Sequence, residues 1–186
     1  YRLQLFLTAY LGYMAYYFVR STLALAKPYF LKDGFTMAQV GYLGSALAVT
    51  YGLSKFIMGN VSDRSNPRYF LALGLFLSAL VNLLVPGTLS FSGLFLLMLM
   101  NGWVQGMGWP PCGRIMTHWF SDSERGTKMS IWNTAHNVGA GLLPLIVAIG
   151  VWAFGSWSGL FYLPAICAIV FSILILIFGR DVPQSV

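Results

Sequence analysis

The 186-residue chain is 58% hydrophobic and only 9% charged, against roughly 25% charged residues in an ordinary soluble domain; a water-exposed globule and a disordered chain are both excluded. Eleven basic and five acidic residues give a formal charge of +6. The basic residues are scattered among apolar stretches with no run to track a phosphate backbone, so nucleic acid is excluded as a partner. An integral membrane protein remains, and at roughly 30 residues per pass and loop its length holds about six passes.

Six apolar segments follow one another along the chain: 3–26, 37–61, 69–85, 90–113, 129–153 and 159–178. Each is ended by polar or helix-breaking residues, Lys27 and Pro28 closing the first. As helices rising about 1.5 Å per residue they span a hydrocarbon core of roughly 30 Å. The alternation of a transmembrane barrel is lacking. The expected fold is all-α, one six-helix transmembrane bundle over residues 1–186. An even number of passes puts both termini on one side, together with Arg2, Arg64, Arg68, Arg114, Arg125, Lys128 and Arg180; only Lys27 and Lys32 lie opposite. The excess of positive charge predicts that the termini are cytoplasmic.

The first segment carries Tyr13, Tyr16 and Tyr17 seven, four and three residues before Arg20, spacings that share parts of one helical face. The second repeats the combination with Tyr51 four residues before Lys55. All five acids (Asp33, Asp63, Asp122, Glu124 and Asp181) fall in loops or at segment ends. Arg20 and Lys55 therefore have no acidic partner in the apolar spans, where a charge costs at least ~2.5 kcal/mol. An anionic ligand in a polar cavity accounts for both, since guanidinium offers a rigid fork and ammonium a movable point charge. For Lys55 snorkelling is the alternative, and for the tyrosines, packing.

In the fourth segment Pro110 and Pro111 are expected to kink or end the helix, and Gln105 and Trp109 fit packing or gating equally. The fifth places Asn133, His136 and Asn137 on one face, open to substrate or to interhelical hydrogen bonds. No second histidine or acid lies at ligand spacing from His136, so no metal is expected. Cys112 and Cys167 sit in different segments without redox or metal spacing and read as structural thiols. No Gly-rich loop ending in Gly-Lys-Ser/Thr offers an ATP site. No nucleophile–base pair or acid dyad lies within the spans, which argues against an enzyme. No cofactor is called for.

The stretches GYMAYYFVR (12–20), YGLSKFIMGNVSDRSNPR (51–68), NGWVQGMGWPPCGR (101–114), SERGTKMSIWN (123–133) and WNTAHNVGAG (132–141) resemble the N-terminal half of the bacterial organophosphate:phosphate antiporters of the major facilitator superfamily, carriers of glycerol-3-phosphate in particular. The resemblance covers essentially the whole chain. It implies a secondary transporter of the inner membrane that exchanges glycerol-3-phosphate for inorganic phosphate by alternating access. Arg20 would bind the phosphate, Lys55 and His136 would match the family's further cationic positions, and Tyr13, Tyr17, Tyr51 and Asn133 would line the pore. The family's twelve passes imply a second six-helix half as partner. Asp63, Arg64, Arg114, Glu124 and Arg125 are candidates for a conformational latch, with solvated loop charge as the alternative. A hexose-phosphate or phosphoglycerate antiporter, or a non-transporting membrane sensor of sugar phosphates, are the competing readings.

Overall fold

A computed structural model describes residues 1–88 and 90–180; Asp181 lies outside them. Nine α-helices are found among the described residues, and no strand: α1 (Arg2–Arg20), α2 (Thr22–Lys32), α3 (Met37–Asp63), α4 (Pro67–Leu84), α5 (Phe91–Gln105), α6 (Trp109–Trp119), α7 (Asp122–Asn133), α8 (Ala135–Phe154) and α9 (Gly159–Phe178). They make six rods, because α1 runs into α2 at Ser21, α5 into α6 across residues 106–108, and α7 into α8 at Thr134.

Local chemistry sets several of these ends. A capping box opens α3, with Thr36 Oγ1 accepting from Gln39 N at 3.2 Å and Thr36 N donating to Gln39 Oε1 at 2.9 Å. Asn66 caps α4, which starts with Pro67, and Ser90 Oγ accepts from Gly93 N at the start of α5. The sequence led us to expect Pro110 and Pro111 to kink or end a helix, and the fourth rod is broken at residues 106–108; the prolines themselves lie in the first turn of α6. Proline is tolerated there because a first-turn N–H has no intrahelical acceptor. The break comes just before them.

Among the described residues, three stretches are long and apolar enough to cross a membrane by length and composition alone: Pro67–Gly87, Asp122–Phe154 and Gly159–Phe178. The other three rods fall short for reasons tied to what they carry. The first holds the tyrosine stripe and Arg20, the second holds Lys55, and the fourth is divided into helices of 15 and 11 residues.

The bundle is built around α1, which packs against α4, α6, α8 and α9. Leu5, Ala9, Tyr16 and Phe18 are buried there with Leu71 and Leu75 of α4 and Trp132 of α7. A second apolar cluster joins Phe30, Leu43, Leu94 and Phe161 near the far end. By contrast α3 and α8 bury few residues and expose Val49, Leu53, Phe56, Leu142 and Leu145. Each bare helix also presents polar groups, and the candidate site lies there.

Candidate anion-binding site

Arg20 is the last residue of α1, directly before the break at Ser21. The turn is closed by Ser21 N donating to Tyr17 O at 3.1 Å and by Thr22 Oγ1 donating to Phe18 O at 2.5 Å. The guanidinium lies over two phenol rings, with Cζ 4.6 Å from the centroid of Tyr17 and 4.1 Å from that of Tyr51. Its Nε donates to Gln105 Oε1 at 2.9 Å. Among the described residues its partners are neutral, and its buried Nη2 has no hydrogen-bond partner.

Two aromatic rings tie the other predicted groups to this cation. Tyr51 lies under Arg20 and also 4.7 Å from Lys55 Nζ. Tyr17 lies under Arg20 and also 5.5 Å from the His136 ring. Tyr13 is buried behind them, its ring 5.8 Å from Tyr17 and 4.7 Å from Trp132. Lys55 is exposed and His136 half-buried. Asn133 and Asn137 are exposed on the same helix rod, on either side of the break at Thr134. The structure thus brings Arg20, Lys55, His136, Tyr13, Tyr17 and Tyr51 into one contiguous patch.

The close approach of α3 to α5 makes this geometry. Gly102 on α5 and Gly106 just past its end face Thr50 and Ser54, one turn apart on α3; a Cβ at Gly102 would land on Thr50 Oγ1 and the Leu47 carbonyl, and one at Gly106 on Ser54 Oγ. Small residues at this spacing let helix backbones touch. Ser54 Oγ uses the contact to donate to Trp103 O. The same contact holds Tyr51 within reach of Arg20.

Gln105 is the functional neighbour that the sequence left undecided. It is fully buried and holds the guanidinium directly. Its signal was an amide inside an apolar helix, facing a chain with an unpaired arginine. Trp109 is part-exposed and sits edge-on to Trp132 at 6.3 Å.

The five latch candidates fall into two groups. Arg114 Nη1 donates to Ser62 O at 2.9 Å, to Asp63 O at 3.1 Å and to Ser65 O, closing the end of α3 where Asp63 and Arg64 lie. Arg125 pairs with Asp122 at 2.7 Å, and Glu124 pairs with Arg2, which the sequence had not singled out. A groove of about 1080 Å³ runs between α3 and α6 from Lys55 past Trp109 to Asp63, Arg114 and His118. It joins the cation patch to the Asp63 end of the bundle.

Residues 9–186 match the family described as the Major Facilitator Superfamily. The glycerol-3-phosphate transporter of Bacillus subtilis is 54% identical over 188 residues, covering 99% of this chain and 42% of that protein. A probable hexose phosphate transport protein of Chlamydia trachomatis is 44% identical over 186 residues, covering 99% of this chain and 40% of the relative. The chain thus spans about two fifths of the length of these curated relatives. The crystal structure of a bacterial homologue of the human lysosomal transporter Spinster, inward-facing and unoccupied, superposes with a TM-score of 0.82 over 99% of this chain and 44% of its own, at 20% identity.

Proposed function

The chain belongs to the major facilitator superfamily, and from that premise we propose that it supplies one half of a pore exchanging glycerol-3-phosphate for inorganic phosphate across a bacterial inner membrane. Residues 1–186 act as a single six-helix unit. The carrying observation is Arg20, a guanidinium caged by neutral groups with a buried Nη2 that has no partner among the described residues. Phosphate oxygens complete its hydrogen bonds and offset its charge. Lys55 and His136, each sharing a ring with Arg20, contribute further charge or donors. Tyr13, Tyr17, Tyr51 and Asn133 shape the cavity.

The patch lies on the bare side of the bundle, where α3 and α8 expose apolar side chains around it. A second six-helix unit covering that side completes the site, and rocking of the two units gives alternating access. With both termini cytoplasmic, as the distribution of basic residues supports, the groove from Lys55 to Asp63 is the inward-facing approach. The ends of α3 and α7, with Asp63, Arg64, Arg114, Glu124 and Arg125, lie on that side and act as a latch.

A hexose-phosphate substrate is the second reading, favoured by the 44% identity to the chlamydial relative. Uptake of labelled phosphate into proteoliposomes preloaded with glycerol-3-phosphate, glucose-6-phosphate or nothing tests both. Uptake that requires internal glycerol-3-phosphate is expected. Preference for glucose-6-phosphate selects the second reading. Phosphate binding without exchange, when both halves are present, overturns antiport in favour of a sensor.

A further inference from the structure

Behind Arg20 runs a ring of buried polar side chains. Arg20 Nε donates to Gln105 Oε1 at 2.9 Å, Gln105 Nε2 donates to Ser78 Oγ at 2.7 Å, Ser78 Oγ donates to Asn101 Oδ1 at 2.5 Å, and Asn101 Nδ2 donates to Val19 O at 3.1 Å. The path leaves α1 at Arg20, crosses α5 and α4, and returns to α1 at the preceding residue. Asn82 Nδ2 strengthens the return, donating to the same Val19 carbonyl at 3.0 Å and to Ser78 O at 2.9 Å. Ser78, Asn82, Asn101 and Gln105 are each no more than 2% exposed.

The ring has a single polarity. A guanidinium can only donate and a backbone carbonyl can only accept. Gln105 must therefore turn its oxygen to Arg20 and its NH2 to Ser78. Ser78, having accepted that bond, uses its one proton on Asn101 Oδ1, which leaves the Asn101 NH2 for Val19. No member can reverse without leaving a buried group unpaired, and in a low-dielectric interior such a group is costly. Apolar packing alone can hold α1, α4 and α5 together. The polar ring does something more specific: it fixes the peptide beside the helix break and the Nε edge of the guanidinium. With that edge held and two rings centred 4.6 Å and 4.1 Å from Cζ, the guanidinium plane is set and Nη2 is left with no partner among the described residues.

We propose that Ser78 and Asn101 are positioning residues for anion binding, acting through Gln105 to aim the Nη donors of Arg20 before the anion arrives. The inference rests on reading Arg20 as the phosphate-holding group. Neither Ser78 nor Asn101 touches the anion; they lower the cost of ordering the group that does.

The test uses the full chain in lipid nanodiscs, labelled with [15N]arginine and titrated with inorganic phosphate. The Arg20 Nε–H resonance is identified by its loss in Arg20→Lys. In the wild type it exchanges slowly with solvent, and phosphate shifts the Arg20 side-chain resonances. Ser78→Ala removes the hydroxyl without adding volume; we expect Nε–H exchange about tenfold faster and phosphate affinity about three- to tenfold weaker. Leu75→Val, a buried apolar truncation on the same helix, lowers the melting temperature while moving neither readout, which separates positioning from general stability. Should Ser78→Ala not fold, Ser78→Cys carries the test, its weaker donor giving an intermediate exchange rate. Wild-type exchange and affinity in the serine variants, with phosphate still shifting Arg20, overturns the positioning role and leaves the anion site standing. No phosphate shift at Arg20 in the wild type overturns the anion reading and this inference with it.

Discussion

Replacing Arg20 with lysine tests the proposed binding group at constant charge. Lysine retains one positive charge but loses the planar fork, so it cannot donate to Gln105 through Nε and to an anion through Nη at once. A hydrogen bond to a charged group contributes about 1.5–3 kcal/mol. Losing one such bond to phosphate weakens binding by a factor of roughly 10 to 150. The substitution also strips Gln105 Oε1 of its donor in a fully buried setting, which costs about 1–3 kcal/mol of stability. Part of the stacking survives, because an ammonium over Tyr17 and Tyr51 still feels the ring quadrupoles. Isothermal titration of the reconstituted protein with phosphate reads the first effect, and thermal unfolding reads the second. A folded Arg20→Lys protein that binds phosphate within about twofold of wild type, where a factor of ten or more is expected, refutes the assignment of Arg20.

Three further outcomes follow from the same geometry. Tyr51 meets Arg20 and Lys55 through its ring, so Tyr51→Phe should hold phosphate better than Tyr51→Leu, the latter losing about 0.5–2 kcal/mol per cation–π contact; equal affinities in titration would show that the ring face is irrelevant. Gly106→Val drives a side chain onto Ser54, and overpacking of this kind costs about 1–3 kcal/mol; an unchanged melting temperature would mean that α3 and α5 are free to separate. Glu124→Gln breaks an exposed pair with Arg2, which should leave both melting temperature and phosphate affinity unchanged while altering the exchange rate, as a latch residue must; an unchanged exchange rate would remove Glu124 from the latch.

The membrane-spanning rods are legible in the sequence because lipid demands long apolar runs, and the few polar residues inside them stand out for the same reason. Arg20, Lys55 and His136 were visible as costs with no local repayment, and their tyrosines by helical spacing. The breaks in the rods were less visible. Ser21 is neither glycine nor proline, and what marks its site is tertiary: amides from α4 and α5 converge on the carbonyl of Val19. The proline pair marked a break but not which side of it the prolines occupy, because the same residues that stop a helix also suit its first turn. The start of α7 at Asp122 lies outside any apolar run, although Ser121 and Glu124 carry the spacing of a capping box. Gln105 could be recognised as a polar group in need of a partner. Which partner it takes depends on how α5 is rotated against α1, and the contact of Gly102 and Gly106 with α3 decides that.

These constraints explain why the cation patch sits at the rim of this bundle and not inside it. α1 is buried along most of its length, and a guanidinium nearer its middle would be surrounded by apolar side chains such as Leu5 and Ala9 with nothing to accept its protons. At the end of α1, the break at Ser21 and the thin contact made by Gly102 and Gly106 give it a polar buttress on one side and a half-buried place beside the bare face of the bundle on the other. The buttress is neutral throughout, an amide and two phenol rings, so it orients the cation without neutralising it. A carboxylate at position 105 would satisfy Arg20 permanently and compete with phosphate for the same donors. A glutamine accepts one bond at Nε and leaves the charge to the ligand. The strength of the resulting attraction then depends on what closes the open side: at 4 Å, two unit charges interact by about 1 kcal/mol in water and about 4 kcal/mol at an effective dielectric of 20. On the proposed function, closure of a second unit over α3 and α8 would therefore itself tighten the grip, and opening would release it. In that proposal the energy that moves the two units and the energy that holds the anion would be drawn from the same interaction.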